Sequence, residues 1–205
     1  MERWLALELA STIRHDGDGG VTDDLATPHG VTRWLQAQAD LLADHVPAGE
    51  ATADEDLRAQ VVGVRQAVRA LFARAVSPAP PSAADARQLM PADQAVAHLN
   101  TVAARETVVP QLVWPPDGAP AVRLVSTEND PTVRLLALLA RAAIDFLNGP
   151  QLSRLRACSA PRCVRYFVKS HGRQEWCKPS CGNRARAARH YRRRRTAADG
   201  DSRSL

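Results

Sequence analysis

The amino-acid sequence predicts a mainly helical chain of the α+β class. Its expected parts are a helical N-terminal domain with an inserted β-hairpin, followed by a small cysteine-containing module. Over long stretches, apolar residues recur at intervals of three and four, as in helices with one buried face. The stretch 107–125 is instead rich in β-prone residues. All four cysteines lie in the last quarter of the 205-residue chain.

The bulk composition is that of an ordinary globular protein. Hydrophobic residues make up 45% of the chain and charged residues 24%, as in typical soluble domains. No stretch approaches the roughly 18 consecutive apolar residues of a membrane span. The N-terminal residues also lack the layout of a signal peptide. We therefore expect a cytoplasmic protein with no membrane partner, in which thiols stay reduced.

Charge divides the chain into two parts. Residues 151–205 hold 15 of the 27 basic residues and three acidic residues, a formal charge of +12. Residues 1–150 hold the other 12 basic residues and 19 acidic residues, a formal charge of −7. Such asymmetry indicates two parts with different partners. The basic end would attract a polyanion that the acidic part repels.

The first helices follow from apolar stretches and capping residues. Trp4–Ile13 is apolar enough to be buried, and Arg14–Gly20 is a polar, glycine-containing loop. Thr27 and Pro28 suit a helix N-cap and the first helical position. A longer helix is expected from Asp54 to Val76. Its apolar stripe comprises Leu57, Val61, Val64, Val68, Leu71 and Phe72.

Proline and glycine divide the rest of this domain. The proline-rich run Ser77–Ser82 ends the long helix, and short helices are expected at Asp85–Met90 and Pro91–Ala104. In the predicted hairpin, Asp117-Gly118 lies in the loop. Asp130-Pro131 then begins an apolar, central helix. Gly149-Pro150 ends that helix.

The cysteines form two close pairs. Cys158 and Cys163 are separated by four residues, Cys177 and Cys181 by three, and thirteen residues lie between the pairs. Paired spacing of this kind is typical of one structural zinc ion held by four thiolates. Disulfides are not expected in a reducing compartment. The sequence therefore predicts a zinc cofactor.

The residues around the cysteines predict a treble-clef-like module. Val164–Lys169 is β-prone and suits a hairpin after the first pair. Pro179 suits the first turn of a helix, which would place Cys181 near the helix N-terminus, where the dipole favours a thiolate. The predicted domains are a regulatory or dimerisation domain at 1–150, a zinc module at 151–195 and a disordered tail at 196–205.

The helix after Cys181 is rich in arginine. Helical spacing predicts that Ala187, Ala188 and Tyr191 pack against the zinc module. The run carries charge of one sign with no acidic residue among its arginines, which favours an external anion, and arginine suits phosphate or guanine contacts. The predicted nucleic-acid surface comprises Arg173, Arg184, Arg186, Arg189, His190, Arg192, Arg193, Arg194 and Arg195. The expected partner is DNA, and RNA or an acidic protein surface are the alternatives.

The last quarter of the chain resembles the CGNR zinc finger. The resemblance rests on Cys158-x4-Cys163, Tyr166-Phe167-Val168 and Trp176-Cys177-x3-Cys181-Gly182-Asn183-Arg184. Many members carry an acid after the aromatic pair and two arginines before the tryptophan, where this chain has Lys169 and Gln174-Glu175.

The front of the chain resembles the ABATE domain that usually precedes this zinc finger. The matching stretches are LALELASTIRH near the start, DDLATP at 23–28, Trp34-Leu35 and Leu99-Asn100. The combined resemblance implies a bacterial, stress-responsive transcription regulator with a zinc-dependent DNA-binding end.

A regulator needs an input, for which residues 1–150 are the candidate. We expect this domain to form a homodimer, to bind a small-molecule effector or to contact another protein. The sequence contains no nucleophile–base pair, phosphate loop or dinucleotide fingerprint. Four thiolate ligands also leave a zinc ion no open position for catalysis. The prediction is therefore a protein that is not an enzyme.

Overall fold

The computed structural model describes residues 3–18, 20–42, 52–86 and 89–201. Its mixed α+β architecture confirms the predicted fold class. The elements are α1 (Leu5–Ala10), β1 (Ile13–His15), β2 (Val21–Asp23), α2 (Pro28–Ala37), α3 (Ala39–Leu42), α4 (Glu55–Val76), α5 (Ala92–Ala103), β3 (Val108–Val113), β4 (Ala121–Ser126), α6 (Pro131–Asn148), β5 (Leu155–Ala157), β6 (Tyr166–Val168) and α7 (Pro179–Asp201).

Helix α4 is the central element of the helical domain and packs against α1, α2, α5 and α6. The side chain of Asp54 caps it by accepting a hydrogen bond from the Leu57 amide at 2.8 Å. The predicted stripe is buried at all six positions. The helix ends at Val76, before the proline-rich run, as the sequence predicts.

Helix starts at Thr27 and Asp130 are also confirmed. The Thr27 hydroxyl accepts a hydrogen bond from the Gly30 amide at 3.1 Å, and Asp130 accepts one from the Thr132 amide at 2.8 Å. Gly30 is required because a Cβ at this position would lie 2.2 Å from the Asp24 carbonyl oxygen. These caps orient α2 and the apolar helix α6.

Two short segments differ from their predictions. Ile13 lies in β1, which pairs with β2, so the buried helix ends earlier, at Ala10. The expected helix at Asp85–Met90 is absent over its described residues, and a single 3-10 turn spans Ala83–Asp85 instead. Its start is fixed by the Ser82 hydroxyl, which accepts from the Ala84 amide at 3.3 Å. Residues 87–88 lie outside the described part.

The predicted hairpin is confirmed as an antiparallel ribbon of β3 and β4. Val108 pairs with Ser126 at its base and Val113 with Ala121 near its tip. Asp117-Gly118 lies in the connecting loop, as predicted.

The main hydrophobic core continues past residue 150. Leu155 of β5 and Tyr166 of β6 are 1% and 2% exposed and belong to the same cluster as α4 and α6. The cysteine module is thus packed directly on the helical domain. No helix in the described ranges is both long and apolar enough to cross a membrane.

Candidate metal centre and basic helix

The four cysteine sulfurs converge on one point. All four Sγ atoms lie within 4.8 Å of one another. The Cys163–Cys177 and Cys177–Cys181 sulfur distances are 3.7 and 3.6 Å. Thiolates at about 2.3 Å from a shared tetrahedral zinc lie about 3.8 Å apart, whereas a disulfide requires about 2.05 Å. The cluster therefore fits one structural zinc ion.

A tight turn between β5 and β6 holds the first pair. Cys158 directly follows β5, and its amide donates to the Arg165 carbonyl at 2.9 Å. The Cys163 amide donates to the Ala160 carbonyl at 3.0 Å. Arg162 adopts a left-handed φ of 62° within this turn, a conformation uncommon for residues other than glycine. The backbone thus directs both thiols to one side.

The second pair is held by the start of α7. Cys181 lies in the first turn of this helix, which begins at Pro179 as predicted. Cys177 lies in the loop before it. The expected hairpin differs: β6 pairs with β5, which precedes the first cysteine pair, and residues 169–178 contain no strand. The Gln174 side chain folds this stretch by accepting from the Ser170 amide at 2.7 Å.

The crowded sulfurs perturb one another electrostatically. Hydrogen bonds from Cys163 and Cys177 lower the pKa of the Cys158 thiol to about 2. The bond to Cys158 in turn raises the pKa of Cys163 to about 11, and both neighbours raise that of Cys177. Among these three sulfurs, Cys158 is therefore the one most readily ionised. A divalent cation at the centre would replace the remaining thiol protons and stabilise all four thiolates.

Gly182, in the Cys-Gly-Asn-Arg stretch, gives the Trp176 indole room beside the metal centre. A Cβ at position 182 would lie 3.0 Å from Cε3 of Trp176. Arg184 donates to the Cys181 sulfur at 3.2 Å. Arg189 places its guanidinium carbon 5.9 Å from the centroid of a Trp176 ring, a cation–π contact.

The predicted packing face of α7 is wrong at Ala187 and Tyr191, and Ala188 is half-buried. Cys181, Gly182 and Ala185 are buried, whereas Ala187 is exposed and Tyr191 is 68% exposed. The buried positions follow the helical spacing that begins at the metal ligand. The face is thus set by Cys181 and the Trp176 indole.

The arginines predicted to contact nucleic acid lie mostly on the outer surface of α7. The exposed members of the predicted surface are Arg173, Arg184, Arg186, Arg189, His190, Arg192, Arg193 and Arg194. Arg173 lies in the loop before the helix, and Arg184 also contacts the metal centre. The side chain of Arg195 lies outside the described part. The helix continues to Asp201, into the segment predicted as a disordered tail, because Ala197 and Ala198 favour helix.

A buried ion-pair network that the sequence analysis missed joins the helical domain to the metal centre. Arg69 donates to the Asp85 carboxylate at 2.8 and 2.9 Å. The Tyr166 hydroxyl donates to the same carboxylate at 2.7 Å. The Ser82 hydroxyl donates to the Val164 carbonyl, next to Cys163, at 2.8 Å. A sequence signal existed, because Arg65 and Arg69 lie four residues apart at the edge of the apolar stripe of α4.

Two parts of the chain match known protein families. The geometry defines a zinc-finger protein with a helical domain packed on the finger. Residues 154–194 match the CGNR zinc finger. Residues 4–150 match ABATE, described as "Putative stress-induced transcription regulator". The chain belongs to the ABATE family, in which it carries a C-terminal CGNR zinc finger. A search of curated proteins finds no match. Both matched families are of non-enzymatic kinds.

Proposed function

We propose that this protein is a zinc-dependent, DNA-binding transcriptional regulator that acts in the cytoplasm of a bacterium and responds to stress or to a ligand. The observation that carries the proposal is the continuity of metal site and basic helix. Cys181 is both a cluster residue and part of the first turn of α7. The exposed arginines follow on the same helix, and residues 179–194 contain no acidic residue.

Zinc would act through the position of α7. Bound to the four cysteines, zinc would supply the charge that stabilises the thiolates, and four protein ligands would leave it no open position. The chain's own residues position the helix, because Gly182 near its start packs against the Trp176 indole beside the metal centre. The arginines then present a basic surface to phosphates. A closed shell offers no catalytic position, so the proposal includes no enzymatic activity.

The test is charge reversal on the outer surface of α7. Glutamate at Arg186, Arg193 and Arg194 should abolish tight duplex binding and lower the slope of log affinity against log salt by up to about 3. Arg189 is left unchanged because it contacts Trp176. The matched control reverses three exposed arginines of the helical domain, Arg33, Arg74 and Arg105. Equal binding by both variants, with zinc content intact, would contradict the proposal.

Competition separates DNA regulation from the RNA-binding or protein-interaction alternative. A promoter-derived duplex should retain the protein against excess random duplex and against structured RNA. Stronger competition by RNA would favour the alternative. Equal competition by random duplex would remove the sequence-specific part of the proposal.

The proposal gives the N-terminal domain two further roles, homodimerisation and effector binding. A cavity of about 490 Å³ supports the second role, because α1 of this domain forms one wall and β6 of the zinc module forms the other, beside Cys177. Trp4 and Phe167 contribute apolar walls. The charged lining is mainly basic, with Lys169 and Lys178 among its members, although Glu8 also lines the cavity. We expect an anion with an aromatic part.

Benzoate is a test ligand for this cavity. It should raise the melting temperature of the unaltered protein but not that of an Arg165→Gln variant, since Arg165 also lines the cavity. An equal shift in both proteins would exclude the site.

A further inference from the structure

The β3–β4 ribbon carries an apolar face that the rest of the described chain leaves uncovered. The register pairs Pro110 with Leu124 and Leu112 with Val122, and directly paired residues lie on the same face of a ribbon. Trp114 continues that face by alternation. We call these five residues the ribbon face. None of them is charged.

Solvent exposure of the ribbon face is high. Leu112 and Val122 are each 69% exposed, Trp114 is 67% exposed and Leu124 is 42% exposed. The opposite face carries Val109 and Val113, which are 53% and 39% exposed, but the polar pair Gln111 and Arg123 lies between them at its centre. A two-stranded ribbon is marginally stable in water by itself. Contiguous exposed apolar side chains therefore indicate an interaction surface.

We propose that the ribbon face is the surface through which two copies of this chain associate, packed face to face around a two-fold axis. An uncharged apolar face requires an apolar partner, and a second copy offers the same face in the self-complementary arrangement of a two-fold dimer. Each copy carries a net charge of +5. Contact through the uncharged face therefore avoids placing like charges against one another.

The area of the ribbon face is sufficient for this association. Its exposed side chains present on the order of 500 Å² of mainly apolar surface, a large patch for a monomer. Two copies would bury roughly 1,000 Å² in total, the size at which specific interfaces begin. The inference deepens the dimerisation part of the proposed function, since a two-fold dimer presents two α7 helices to DNA as a symmetric pair.

One substitution and its neighbour test the ribbon face. Val122→Lys introduces a charge at its centre, and Ala121→Lys adds the same charge one residue earlier, on the opposite face. In sedimentation velocity over a concentration series, the unaltered chain and Ala121→Lys should have twice the monomer mass of 22.2 kDa. Val122→Lys should weaken dimerisation by roughly a hundredfold or more, because burial of an unpaired charge is costly.

Each other outcome overturns the inference. If the unaltered chain is monomeric at about 100 µM, the ribbon face does not bind a second copy and must have a different partner. Dimers in all three proteins, or monomers in both lysine variants, would place the dimer contact elsewhere or spread it over both faces. If Val122→Lys does not fold, Trp114 gives a second measurement. Its emission should shift to shorter wavelength as the unaltered chain is concentrated, and a Trp114→Phe variant should lack that shift.

The outcome is separable from the DNA proposal. A monomeric Val122→Lys protein should still hold zinc and bind random duplex through α7. It should lose only the additional affinity that two joined binding sites provide. Loss of the dimer would therefore leave the DNA assignment standing. Loss of duplex binding in a protein that remains dimeric would contradict the DNA assignment and leave the ribbon-face dimer standing.

Discussion

At the scale of single residues, the metal centre depends on small clearances around its ligands. Gly182 lies against the Trp176 ring, which in turn contacts Arg189. Arg184 donates to the Cys181 sulfur. The residues between and beside the cysteines thus fix the geometry that the cysteines require.

Gly182→Ala should destabilise the zinc-loaded protein by up to about 2 kcal/mol, because overpacking of the Trp176 ring outweighs the roughly 1 kcal/mol that alanine gains over glycine in a helix. The control is Gly172→Ala, where a Cβ would meet no atom within 4 Å. Urea unfolding of both variants measures the difference. Equal stabilities would show that Trp176 moves aside at little cost.

Tyr166 should make stability depend on pH in the alkaline range. Burial and the hydrogen bond to Asp85 raise the pKa of this phenol. Its contribution is therefore complete below the unfolded value of about 10 and is lost as pH rises toward the folded value. Relative to the unaltered chain, Tyr166→Phe should be less stable at pH 7, with a gap that narrows above about pH 10. A gap independent of pH in urea unfolding would contradict this expectation.

At the scale of elements, α7 depends on the metal centre for its position. Its arginines repel one another at helical spacing. Up to residue 194, where the side chains are described, its buried residues lie near Cys181. Most of the stabilisation of this helix therefore comes from the first turns.

Removal of zinc should unfold part of α7. A strong chelator should reduce the helical circular dichroism by no more than the 23 residues of α7 represent, and duplex binding should fall in parallel. Helices α4 and α6 should remain folded, since they belong to the main hydrophobic core, whereas the cysteines form a separate cluster. Added zinc should restore both signals. Unchanged binding by protein shown to be free of metal would contradict the dependence.

The sequence predicted the elements whose determinants are local. Caps at Thr27 and Asp130 and the paired cysteines act over a few residues, so their residue types and spacing were sufficient. The packing face of α7 was different, since Trp176 and the metal cluster select it from outside the helix. Few apolar residues follow Cys181, so periodicity alone fitted another face at Ala187 and Tyr191.

At the scale of the whole molecule, the Arg69–Asp85–Tyr166 network joins two parts far apart in sequence. Asp85 and Tyr166 are 81 positions apart, and no local pattern pairs such distant groups. Only the arginines at the edge of the apolar stripe of α4 indicated that buried partners were needed. Long-range contacts of this kind therefore required the structure.

Arg69→Met should destabilise the protein by about 3–5 kcal/mol, because Asp85 is left buried without its cation. Asp85→Asn in the same chain should recover part of this loss. Arg58→Met, which breaks a solvent-exposed pair with Glu55, should change stability much less, because water screens that pair. Urea unfolding of the single and double variants gives the coupling. Strictly additive losses would show that the network is not a unit.

The continuation of the main core through Leu155 and Tyr166 bears on how such a finger could be inherited. A segment cut at residue 150 would bring these two side chains into water and leave the Val164 carbonyl without Ser82. The finger is therefore not a portable module. Recombination that moved it to a new host would succeed only together with the helical surface that receives it.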